Sequence, residues 1–174
     1  MIAPMVARSD AQLAAIVLMA GPAYSGRRIL DYQLRNLVMG DTTIRAAAKD
    51  SAAAASRATF DSTTAKLPWM KFFLAYDPIP TVRAVKQPVL ILQGATDQQV
   101  RAEEATMLER ALVAGGNRHV TKRIFADHNH LFLHDPSGYP GDYGKLNDPR
   151  VGGEVLGALA DWLATTLRVT PIAR

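Results

Sequence analysis

Four aliphatic residues in a row, Val89–Leu92, stand between Pro88 and the break at Gly94. The run "PVLILQG" reads as a strand buried on both faces, which needs helical cover above and below it and parallel neighbours reached by crossovers. The chain supplies such neighbours on either side. "AAIVLMAGP" reads as an earlier strand over residues 14–20, ending at Gly21-Pro22, and "HVTKRIFA" reads as a later one with partial alternation. Between the second and third strands, Arg101 to Ala114 reads as a helix. Its Ala105, Leu108, Ala111 and Leu112 share one side, and Gly115-Gly116-Asn117 stop it. Alternating strands and helices predict an α/β fold with about three parallel strands, flanking helices and right-handed crossovers.

The rest of the chain reads as helical. Residues 1–9 look like the tail of a helix. Leu30, Leu34, Leu37 and Val38 make an amphipathic stripe over residues 27–39, stopped by Gly40. Asp41 is expected to cap a following alanine-rich helix that runs to about Ala58 and has little to anchor it in a core. Pro68 opens a helix in "LPWMKFF", whose Trp69, Phe72 and Phe73 serve either as core filler or as the wall of an apolar pocket. "DHNHLFLHDPSGYPGDYGKLNDPR" is a long loop. A last helix over residues 151–167 is expected to bury Val155, Leu159, Trp162 and Leu163.

Composition excludes several classes. The chain has no cysteine, so neither a disulfide framework nor thiolate chemistry applies; this fits the cytosol without requiring it. A net charge of +4 is spread along the chain with no nucleic-acid motif, so a nucleic-acid partner is not expected. "AQLAAIVLMAGPA" imitates the apolar core of a signal peptide, but Arg8 and Asp10 before it are not a basic cluster, and the strand reading is preferred. No apolar run reaches transmembrane length, so no membrane partner is expected.

Asp97 lies three residues past Gly94, at the C-terminal lip of the buried strand, where open α/β sheets keep their chemistry. His130 follows the next strand. One crossover separates them, which puts both at the same sheet edge on neighbouring strands. A carboxylate there can accept the imidazole Nδ1–H, fix the tautomer and leave Nε2 as a general base. His128, His130 and His134 also make an H-x-H-x3-H pattern close to metal-ligand spacing, but with no cysteine and with Asp127 and Asp135 in turns, no metal is expected. A serine nucleophile needs a G-x-S-x-G elbow, and none is present; Ser25 follows a strand but lacks the glycine two residues before it.

"PVLILQGATDQQV" together with "FADHNHLFLHDPSGYPGDYGKLNDPRVGGEVLGALADWL" resembles the C-terminal half of bacterial α/β-hydrolases of the serine esterase and prolyl-peptidase-like kind. The resemblance implies that Asp97 is the acid and that His130, in Asn129-His130-Leu131-Phe132, is the histidine of a Ser-His-Asp site. It makes residues 1–26 and 82–174 a partial hydrolase core and residues 27–81 a helical cap-like insertion. Trp69, Phe72 and Phe73 would then shape an apolar acyl or alcohol pocket. "MIAPMVARSD" resembles the helix just after the nucleophile elbow, so the chain is expected to be a C-terminal portion lacking the nucleophile and inactive by itself. The implied partner is a small ester or acyl substrate, with no cofactor. Self-association, or pairing with a missing N-terminal half, is expected through the strand at residues 15–19. The alternative is a non-catalytic hydrolase remnant kept for binding or assembly.

Overall fold

The computed structural model describes residues 1–168. Their elements run α1 (Ile2–Ser9), β1 (Ile16–Met19), α2 (Gly26–Gly40), α3 (Lys49–Ser62), α4 (Pro68–Ala75), α5 (Ile79–Arg83), β2 (Val89–Gly94), α6 (Ala102–Ala114), β3 (Val120–Phe125) and α7 (Gly153–Leu167). The three strands form one parallel sheet in the order β1-β2-β3. Ile16 lies opposite Val89, and Val89 opposite Val120. Among the described residues no helix is long and apolar enough to cross a membrane.

Every residue of β2 is buried, because its two faces have separate cores. Side chains alternate across a strand. Val89 and Ile91 therefore join Ile16 and Leu18 of β1 and pack under Val85, Leu108 and Leu112, the layer of α1, α5 and α6. Leu90 and Leu92 point the other way, onto Phe132 and Val155 of the long loop and α7. The Gln87 carboxamide fastens α1 to the start of β2, donating 2.8 Å bonds to the carbonyls of Ala7 and Asp10.

Three expectations are corrected. Asp41 caps no helix: its carboxylate accepts from Thr43 N and Oγ1, a local turn, and the alanine-rich helix starts at Lys49 and ends at Ser62. Gly94 is the last residue of β2 rather than a break before it. On α7, Val155 is fully buried whereas Leu159, Trp162 and Leu163 are only half-buried, since α7 alone among the described helices covers that face and its flanks stay open.

In a parallel sheet all strands end at one edge. The turn after Met19, the segment 95–101 and the long loop from Ala126 to Gly152 therefore gather there.

Candidate active site at the sheet edge

Gly94 is where the two site-bearing segments meet. A Cβ on it would lie 2.2 Å from the carbonyl oxygen of His128 and 2.6 Å from that of Asn129, so the backbone after β3 can cross the end of β2 only over a glycine. Two ladder-like bonds continue the contact, Ala95 N to Phe125 O at 2.8 Å and Thr96 N to His128 O at 3.1 Å.

The structure brings Asp97 and His130 together. His130 Nδ1 lies 2.9 Å from Asp97 Oδ2, and because a carboxylate oxygen accepts, the ring donates. The Asp97 side chain is wholly buried and that of His130 is 29% exposed, which leaves the Nε2 side of the ring toward the open edge. Asp97 accepts three further bonds. Gln99 N (2.7 Å) and Val100 N (2.9 Å) donate to Oδ1, closing a turn, and Gln93 Nε2 (2.9 Å) shares Oδ2 with His130. Gln93 is fully buried on β2 and also donates to Val100 O and Gly94 O. All three partners accept, which fixes the orientation of its amide.

His130 rides on a turn closed by a 3.0 Å bond from Phe132 N to Asn129 O. Asn129, fully buried, accepts from Leu131 N and Leu133 N through Oδ1 and donates to Asp135 Oδ2. Asp135 accepts from Ser137 N and Oγ and from Gly138 N, and Thr96 Oγ1 donates to its carbonyl at 2.6 Å. Burial opposes the Asp135 anion, but the bonds from Ser137, Asn129 and Gly138 outweigh it and hold its carboxyl below the usual range. The turn is strained: Phe132 has φ 60°, left-handed backbone that a bulky side chain rarely adopts. It persists because the Phe132 ring is buried against Leu92 and Val155.

The other expected site residues do not join this pair. Trp69 and Phe72 are 62% and 58% exposed on α4, and Phe73 is half-buried against Gly26. Ser25 caps α2, its Oγ accepting from Arg28 N. Among the described residues no hydroxyl is hydrogen-bonded to His130 Nε2. A mainly apolar cleft does lie between Leu30, Leu34 and Leu37 of α2 and Gln98 and Gln99, the residues that follow Asp97; neither Asp97 nor His130 lines it. The leucine stripe was visible in the sequence; that it faces the segment after Asp97 was not.

A family model for the prolyl oligopeptidase family matches residues 47–167. Among solved structures, the chain is similar to an esterase of Pyrococcus furiosus, with a TM-score of 0.52 and 13% identity over 94% of this chain and 49% of that one. It is similar also to the acylaminoacyl peptidase of Pyrococcus horikoshii, with a TM-score of 0.51 and 13% identity over 98% of this chain and 23% of that one. At such identities the likeness is one of fold. The chain thus spans about half the length of the esterase and a quarter of the peptidase. No curated protein sequence matches it significantly.

Proposed function

The chain belongs to the prolyl oligopeptidase family, and from that premise we propose that it carries the base and the acid of a serine hydrolase of carboxylic esters. The observation that carries this reading is the 2.9 Å bond from His130 Nδ1 to a buried, four-times hydrogen-bonded Asp97. With Nδ1–H committed to Asp97, the lone pair sits on Nε2. There it takes the proton of a serine hydroxyl as that oxygen attacks the ester carbonyl, and returns it to the leaving alcohol. Asp97 stabilises the imidazolium formed between the two transfers. Water then repeats the cycle on the acyl-enzyme.

The serine and the donors that would bind the tetrahedral oxyanion come from outside these 174 residues. Ser25 is committed to the N-terminus of α2, which argues against it as nucleophile. The cleft lined by Leu30, Leu34 and Leu37, against Gln98 and Gln99 of the segment after Asp97, supplies an apolar seat for an acyl or alcohol group. Helices α2, α3 and α4 act as the cap over that edge, while Ile79 of α5 packs with the core.

The test has two parts. The purified chain alone is expected neither to hydrolyse a short p-nitrophenyl ester nor to react with a fluorophosphonate probe. The longest open reading frame containing the chain is expected to do both, with His130→Ala lowering kcat by about 10³-fold or more. Labelling of the chain alone that His130→Ala abolishes would place the nucleophile inside it. A longer protein whose activity ignores His130→Ala would remove His130 from the chemistry. Preferential cleavage of amide over ester substrates would replace esterase by peptidase.

A further inference from the structure

We propose that His128, His134 and Glu154 form a binding site for a divalent cation of the zinc class, separate from the Asp97–His130 pair.

His128 is 2% exposed, yet its Nε2 has no hydrogen-bond partner. Its Nδ1 lies 2.6 Å from the carbonyl oxygen of Ala126, which can only accept, so Nδ1 carries a proton and, in the neutral ring, Nε2 presents a lone pair. This is the arrangement in which a metal-ligating histidine is held, with one ring nitrogen fixed to a carbonyl and the other aimed at the ion. His128 lines a hollow at the N-terminus of α7 together with His134, Arg150, Gly152 and Glu154, its Nε2 buried against Gly152. Gly152 lets the backbone approach: a Cβ on it would lie 2.3 Å from Nε2.

The carboxylate of Glu154 is already in place. Its Oε1 lies 3.3 Å from His128 Nε2, but no hydrogen bond joins them, so the oxygen stands off the axis of the ring nitrogen. Two ligands each about 2.0–2.1 Å from one tetrahedral ion lie roughly 3.3–3.4 Å apart, with neither pointing at the other. The observed pair fits that geometry.

His134 supplies a third ligand. It pairs with His128 across a short antiparallel bridge flanked by the bonds Asn129 N to Leu133 O and Asp135 N to Asp127 O. That is the non-hydrogen-bonded kind of pair, in which opposed side chains leave the same face at close range. The two imidazole centres are 6.1 Å apart. Among the described residues no three metal-ligating groups converge as the side chains stand. His134 is exposed, and completing the site requires its side chain to turn about χ1 toward Nε2 of His128. Asp148 also borders the hollow but is held by Arg150 through both oxygens, its carboxyl pushed down to about 2, and stays with that partner. A bound cation would clamp the loop on either side of His130 to α7.

The experiment is zinc titration of the untagged chain by calorimetry at neutral pH, with cobalt(II) absorption reporting coordination. One equivalent is expected to bind, with loss of binding in His128→Ala and weakening by about tenfold or more in His134→Ala and in Glu154→Gln. No uptake, or uptake that His128→Ala leaves intact, overturns the proposal. So does a site lost in His130→Ala and kept in His128→Ala. If His128→Ala does not fold, the two exposed positions decide: unchanged affinity in both overturns the site. A His128 ring signal that responds to pH but not to zinc makes the partner of Nε2 a proton and overturns it as well.

Discussion

Gln93 holds the carboxylate that holds His130, and it does so from inside an apolar strand. Gln93→Leu keeps the volume but leaves Asp97 Oδ2 with His130 alone and strips Val100 O of a donor. A cost on the order of 1–3 kcal/mol is expected, read as a lower urea midpoint at unchanged slope. An unchanged midpoint would mean that Asp97 is held well enough by Gln99 and Val100. Acid acts on the same loop through Asp135. Its folded pKa is depressed, so its contribution to stability is full above the unfolded value of about 3.9 and drains away as pH falls through the lower folded value. Protection of the Ser137 and Gly138 amides, relative to the intrinsic exchange rate at each pH, is expected to fall below about pH 4, and Asp135→Asn to abolish that step. Asp97 and His130 were legible in the sequence because each follows a strand across one crossover. Gln93 was not, because it ends an aliphatic run and reads as part of it. The clue was available: a polar side chain inside a fully buried strand must find partners there. Asn129 and Asp135 read only as loop polarity, since their partners are backbone groups that become neighbours when the loop closes.

At the scale of elements, β2, α6 and β3 were legible to within a residue or two, and α3 was misplaced at both ends. The difference is physical. The burial pattern of α6 repeats at Ala105, Leu108, Ala111 and Leu112, whereas α3 has no buried residue and alanine carries no phase. What fastens α3 to α2 is charge: Arg27 and Arg57 on one side, Asp31 and Asp61 on the other. These pairs are partly exposed, so salt screens them. Raising salt toward molar concentration is expected to speed hydrogen exchange in α3 well before α6 responds. Equal response in both helices would show that α3 is held by apolar contact instead. Trp69 and Phe72 belong to the same lesson. An aromatic cluster signals apolar area but not which way it faces, and on the short α4 most of it faces outward.

The sheet as a whole has two unlike edges. β3 carries Lys122 and Arg123, charges of the kind that discourage edge pairing, whereas β1 carries none. The isolated chain is therefore expected to associate through Ile16–Met19 at micromolar concentration, with Val17→Lys shifting it to monomer by light scattering. A stable monomer of 18.9 kDa, or association that survives Val17→Lys, would exclude that edge. The register carries one more consequence, for the order of assembly. The stretch of chain between Ile16 and its partner Val89 is more than twice as long as that between Val89 and Val120. Each doubling of a closing loop costs about 0.6 kcal/mol more in entropy, and the longer one threads four helices rather than one. The β2-α6-β3 unit, which carries both Asp97 and His130, is thus the kinetically cheap part of the fold, and β1 docks onto it afterwards. In pulse-labelled exchange during refolding, the amides of β2 and β3 are expected to gain protection before Ala20 N, whose bond to Leu92 O forms only once β1 is seated. The Asp97–His130 pair would then be assembled on a nascent sheet while the segment from α2 to α4 is still unfolded chain.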